Sequence, residues 1–165
     1  MYYILVLLIA GLDQLTKALV RSDFSLGESR PLIEGVFHLT YIENTGAAFS
    51  SFEGQRLLLT LLPLILTAVF LFLLATWKRK GAHWTALFAF ALIAAGGIGN
   101  LIDRCLRGSV TDFLDFRFWP VFNVADIAVC VGCGFLVIFV FFFDRRKEEK
   151  DASDSAGEDL KPDQR

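Results

Sequence analysis

Four stretches of this chain, residues 2–20, 57–77, 84–102 and 124–143, are long and apolar enough to cross a bilayer. A membrane-spanning helix needs about 20 mainly apolar residues. This pattern constrains the chain more than any single motif. A water-soluble chain of 165 residues has little interior, and 17 Phe would be hard to hide in it. Lipid can solvate them instead. The hydrophobic share of 55% and mean hydropathy of +0.53 exceed soluble-domain norms. The expected fold is therefore an all-α membrane protein, a bundle of four transmembrane helices forming one domain over residues 1–143.

The first stretch lacks a basic leader and an evident small-residue cleavage site, and it carries Asp13 and Lys17. It is therefore expected to be retained rather than removed as a secretory signal. Residues 144–165 form a charged, polar tail, expected to be disordered and cytoplasmic. Lys and Arg gather in the loop Trp77-Lys78-Arg79-Lys80-Gly81 and in Arg145-Arg146-Lys147 after the fourth span. Basic short loops mark the cytoplasmic side, so both termini are expected there. The longer connections, about 21–56 and 103–123, then face outward. The first includes Val36-Phe37-His38-Leu39-Thr40-Tyr41-Ile42, a β-prone run suited to a strand or two at the interface.

Composition excludes other classes. With a net charge of -2, nothing in the chain resembles a basic nucleic-acid footprint. The two histidines, His38 and His83, fall in loops on opposite faces, so no metal site is expected. Cys130 and Cys133 form a C-x-x-C inside an apolar run, where a thiolate is costly; packing as small hydrophobes is the expected role. There is no G-x-S-x-G elbow. A serine–lysine dyad of Lys17 with Ser50 or Ser51 fails because Asp13, four residues away, keeps the lysine charged.

Ionisable residues beside a membrane core are costly and invite functional readings. Asp13 and Lys17, acid first at i, i+4, suit a supporting helix pair. Asn100, Asp103 and Arg104 set an amide and an ion pair at the outer end of the third span, as a scaffold for a polar site. The nearby Gly96, Gly97 and Gly99 are explained by close helix approach. Asp112 and Asp126 stand 14 positions apart at the two ends of one outer loop, so their carboxyls could converge. Read singly, Asp112 is an exposed loop acid and Asp126 the N3 acid of a helix capped by Asn123. Read together, two carboxyls sharing a site hold one proton between them, leaving one base and one acid. A membrane carrier or binder with paired outer-face carboxylates is the alternative, although no internal repeat is visible.

Five blocks in order, Asp13–Lys17 (DQLTK), Asn44–Ser50 (NTGAAFS), Gly99–Arg104 (GNLIDR), Val110–Phe113 (VTDF) and Phe122–Asp126 (FNVAD), resemble the lipoprotein signal peptidases, or type II signal peptidases. The resemblance covers residues 13–143. It implies an aspartic endopeptidase of the bacterial cytoplasmic (inner) membrane, with its site at the extracytoplasmic face and a small β-rich cradle in the first outer loop. Its substrates would be diacylglyceryl-modified prolipoproteins, cut before the lipidated cysteine. Asp112 and Asp126 match the catalytic pair; Asp13, Lys17, Asn44, Gly46, Asn100, Asp103, Arg104 and Asn123 match the supporting and substrate-binding positions. No cofactor is implied, membrane lipid is the other partner, and a monomer is expected.

Overall fold

The third apolar stretch is the one around which the others assemble. A computed structural model describes residues 1–46 and 56–144, giving only the backbone for Arg56, Leu57 and Asp144. Ala47–Ser50 of the second motif block and the charged tail from residue 145 on therefore lie outside the described residues. Four long helices are present: α1 (Tyr2–Asp23), α2 (Arg56–Arg79), α3 (Trp84–Arg107) and α4 (Val124–Phe139), which runs on through a π-helical turn, Val140–Asp144. Helices α1, α2 and α4 all pack on α3. The apolar window of α3 is 72% buried, against 28%, 11% and 22% for those of α1, α2 and α4. A central helix ringed by three that turn Leu, Ile, Val and Phe outward is stable only where the surroundings are apolar. The chain is a multi-pass membrane protein.

Small residues let α3 sit at the centre. A Cβ on Gly96 would come within 2.3 Å of the Ala125 carbonyl oxygen, and one on Gly132 within 2.7 Å of Ile93. The backbones of α3 and α4 are therefore in near contact, as close membrane packing requires. Away from this seam, Val6, Leu74, Leu87, Phe90 and Phe139 form an apolar core, with Trp77 edge-on to Phe90 at 5.3 Å. The opposite end of the bundle carries the polar residues.

A three-stranded antiparallel sheet, β1 (Ser29–Ile33), β2 (Phe37–Asn44) and β3 (Val110–Asp115), caps that end in the order β1-β2-β3. The expected cradle in the first loop supplies two strands. The third comes from the second loop, so Asp112 stands on a strand rather than in an exposed loop. Val110, Thr111, Phe113 and Asp115 are buried with it, because the strand lies between β2 and the ends of α1 and α3. Past β3 the chain doubles back. Leu114 and Phe122 exchange backbone hydrogen bonds of 2.8 and 3.1 Å, which returns Asn123 and the start of α4 to the strand.

Two expectations change. Cys130 and Cys133, like Cys105, are exposed on the outside of the bundle, because α4 uses Ala125, Ala128 and Gly132 against its neighbours instead. Helix α3 also continues through Arg107, ending at Gly108 with φ of 79°, so Asp103 and Arg104 belong to its last turns. The packing seam yields a test. Gly96→Val should force α3 and α4 apart at a cost of about 1–3 kcal/mol, lowering the melting temperature in detergent; a variant melting with the wild type would contradict the seam.

Candidate active site

The site is built outward from one buried lysine. Lys17 and Asp13 are completely buried and Asp103 is 1% exposed. An ammonium carries three N–H donors, and all three of Lys17 are used: Asp13 Oδ2 at 2.9 Å, Asp103 Oδ2 at 3.1 Å and Asn100 Oδ1 at 2.9 Å. Asp103 also faces Arg21 at 3.6 Å, so two cations meet two anions in a neutral cluster. The pairing expected within α1 is present, but Lys17 ties α1 to α3 as well.

Asp103 does not use Arg104 as its counter-ion. Successive residues on a helix point about 100° apart, so such neighbours cannot face one another. Arg104 carries its charge into the combined field of Asp126, Asp112 and Asp103, strongest from Asp126. It lines a cavity of about 180 Å³ with Asn44, Thr45, Leu59, Thr60 and Gly108.

The remaining oxygen of Asp13 accepts the Ala125 N–H at 2.9 Å, in the first turn of α4. An anion is favoured there, because the first N–H groups of a helix have no partner within it. Gly99 makes the approach possible: a Cβ at that position would lie 2.5 Å from Asp13 Oδ2. Gly99 thus does more than let the helices approach: it clears space for a carboxylate.

Asn123 then joins the two aspartates of interest. Its side-chain oxygen accepts the Asp126 N–H at 3.0 Å, and Asp126 Oδ2 accepts the Asn123 N–H at 3.1 Å, a reciprocal capping box. The Asn123 amide nitrogen donates to Asp112 Oδ1 at 2.6 Å and to Asn100 Oδ1 at 3.1 Å. Asn100 gives its own amide to Asp126 Oδ1 at 2.8 Å. On the far side, Asn44 donates to Asp112 Oδ2 at 2.9 Å and accepts the Gly46 N–H at 3.0 Å. Asp112 and Asp126 are thus held by three amide side chains from β2, α3 and the cap of α4. Burial pushes Asp112 up to about 7, and the charge of Asp126 adds to the rise against the Asn44 and Asn123 amides.

The sequence and the fold match known proteins. The family model for Signal peptidase (SPase) II matches residues 5–142. The chain belongs to the signal peptidase II family. The lipoprotein signal peptidase of Halothermothrix orenii is 42% identical over 141 residues, covering 86% of this chain and 95% of that one. That of Halalkalibacterium halodurans is 43% identical over 158 residues, covering 92% and 99%. Two solved bacterial membrane enzymes share the fold. One has a TM-score of 0.76 at 25% identity, covering 99% of this chain and 93% of that one. The other has 0.72 at 28% identity, covering 86% and 93%. This signal peptidase II homologue is accordingly an enzyme, an aspartic endopeptidase.

All ten polar positions picked out from the sequence converge on this end of the bundle, Gly46 through its bond to Asn44 and Arg104 through its charge. Others were missed. Gln14 donates to the Gly99 carbonyl at 3.0 Å, and Arg21 donates to Thr111 Oγ1 at 3.0 Å. Arg21 had a visible signal, since 13, 17 and 21 continue one i, i+4 stripe along α1. Lys17→Met should strand two buried carboxylates, and breaking a buried pair costs about 3–5 kcal/mol. Thermal unfolding in detergent should show a lower melting temperature; an unchanged one would mean that the cluster is not a keystone.

Proposed function

We propose that this chain removes the signal peptide from bacterial prolipoproteins, cutting before the diacylglyceryl-modified cysteine with a water activated between Asp112 and Asp126. The observation that carries the reading is the pair itself: the buried Asp112 carboxyl and the partly exposed Asp126 carboxyl, bridged by Asn123, with Asp112 held at about 7 beside Asp126. Such a pair keeps one proton up to about pH 7. In the reading favoured here the proton rests on Asp112, and Asp126, at the N-terminus of α4, carries the charge.

The chemistry then follows. Asp126 takes a proton from the water as its oxygen attacks the scissile carbonyl carbon. Asp112 gives its proton to the carbonyl oxygen, producing a neutral gem-diol. Collapse breaks the C–N bond, with the proton on Asp126 passing to the leaving amine and a diol proton returning to Asp112. No covalent enzyme intermediate forms. Arg104, which lines a cavity with Asn44 and whose charge acts on both aspartates, steadies the peptide or its ester-bearing side chain in this reading.

The setting fits the substrate. A signal helix lies in the bilayer, and its backbone at the cut must be non-helical, which is tolerated at that depth only inside protein or a wet cavity. The sheet and the polar end of the bundle provide such a place. Lys78, Arg79 and Lys80 lie at the opposite end, which supports cytoplasmic termini, an extracytoplasmic site and a bacterial inner-membrane location.

Purified protein in detergent, incubated with a diacylglyceryl-modified precursor, should release the signal peptide. Asp112→Asn and Asp126→Asn should each abolish release while remaining folded, and full activity in either would refute the dyad. The rate should also fall as pH rises through about 7, as Asp112 gives up the proton that acid catalysis needs. Asn44→Ala removes a bond that steadies the Asp112 carboxylate, so this alkaline limb should move to higher pH. A limb that stays in place or moves down would contradict the assignment of the proton to Asp112.

A further inference from the structure

Next to the dyad lies a second polar cluster that the peptidase reading leaves without a role. Its centre is Glu43, half-buried on β2, one residue before Asn44. Its carboxylate receives three hydroxyls: Tyr41 at 2.7 Å and Thr111 at 3.3 Å on Oε1, and Ser109 on Oε2. Thr111 is completely buried and bonded in three directions. Its hydroxyl accepts from Arg21 at 3.0 Å while donating to Glu43, and its N–H goes to Asp103 Oδ2 at 3.1 Å. The cluster thus runs from β2 through β3 to α1 and α3.

Position gives this cluster its meaning. The pairing of β2 with β3 is broken by an irregularity between Leu39 and Ile42. Beyond it only three pairs remain: Ile42 with Asp112, Glu43 with Thr111 and Asn44 with Val110. A bulge uncouples the ladder on its two sides and bends the strand. The pairs before it, His38 with Asp115 and Leu39 with Leu114, therefore constrain the placement of Asp112 and Asn44 less than an unbroken ladder would. Three backbone pairs at a strand end are a weak hold. Backbone bonds of Tyr41 to Gly27 and Glu28, and of Phe113 to Phe122, hold each strand to its other neighbour; between β2 and β3 themselves side chains add to the three pairs, of which Glu43 with Thr111 is the middle one. Burial and the Glu43 carboxylate push Tyr41 up to about 12, so its phenol remains a donor.

We propose that Glu43, acting through Thr111 and Arg21, is a positioning residue that locks the end of β2 to β3 and so sets the Asn44–Asp112 contact. The proposal rests on the dyad reading above. A carboxylate suits the task because it accepts from several hydroxyls at once without offering a donor to compete with them. Glu43 touches neither Asp112 nor Asp126 in any hydrogen bond among the described residues, so its influence on the reaction passes through strand placement. A displacement of an ångström at a catalytic group is enough to cost rate.

The test is steady-state cleavage of a diacylglyceryl-modified precursor by the full chain in detergent, with melting temperature measured in parallel. Glu43→Gln keeps size and removes an acceptor; kcat should fall about tenfold with KM within about twofold, the signature of a contact that matters at the transition state. Thr111→Val, isosteric but without the hydroxyl, should lose a similar factor, and Thr111→Ser should restore it. If Glu43→Gln does not fold, the Thr111 pair decides alone. Wild-type kcat in Glu43→Gln and Thr111→Val would overturn the proposal. So would equal loss in Thr111→Ser and Thr111→Val, or losses that follow KM or melting temperature instead of kcat. Asp112→Asn is run alongside: cleavage by it overturns the dyad reading itself, whereas an inert Asp112→Asn beside a fully active Glu43→Gln overturns only the positioning role.

Discussion

A single buried ammonium holds the functional end of this protein together. Lys17 reaches Asp13 on its own helix and both Asp103 and Asn100 on α3. Each of those three then reaches a further element of the site. Asp13 accepts from the first turn of α4, Asn100 donates to Asp126 and accepts from Asn123, and Asp103 accepts the backbone N–H of Thr111 on β3. Taking a charge out of water is expensive unless it is matched in sign and hydrogen-bonded. Here the matching groups lie on different elements, so satisfying the charge requires α1, α3, β3 and α4 to meet in one arrangement.

The same economy governs the N-terminus of α4. Its free N–H groups need acceptors, and three side chains supply them: Asp13 for Ala125, and Asn123 for Asp126, with Asp126 returning a bond to the Asn123 N–H. The capping box and the proposed catalytic dyad are one structure. Asn123 serves both because its amide nitrogen, not needed by the cap, turns to Asp112. Capping and catalysis make no conflicting demands on these residues. A helix start favours a carboxylate, and the buried strand beside it favours a protonated one.

Much of this could be read from the chain before any coordinates. The four spans and the basic loop at 78–80 follow from local composition, because a bilayer acts on composition segment by segment. Asp112 and Asp126 were legible as a pair from their spacing around one loop. Other features were not, for physical reasons. That β3 would leave the second loop to join β2 depends on pairing across more than 60 residues, which no local pattern reports. The partner of Asp103 was misjudged because adjacency in sequence suggests contact, whereas a helix turns neighbours apart. Gly99 looked like a packing residue; its empty Cβ position only gains meaning once Asp13 is seen against it. Cys130 and Cys133 were expected to pack inside, but α4 turns its alanines and glycine inward and leaves the thiols outside.

The central claim is that Asp112 and Asp126 share one proton near neutrality. Infrared difference spectroscopy of the detergent-solubilised enzyme, titrated between pH 5 and 9 with carboxyl-labelled aspartate, observes that proton directly. The account predicts a protonated-carboxyl band that disappears as pH rises through about 7 and is missing from the Asp112→Asn variant. If no such band exists at pH 6, both carboxyls are already ionised there, and the claim of a shared proton is contradicted.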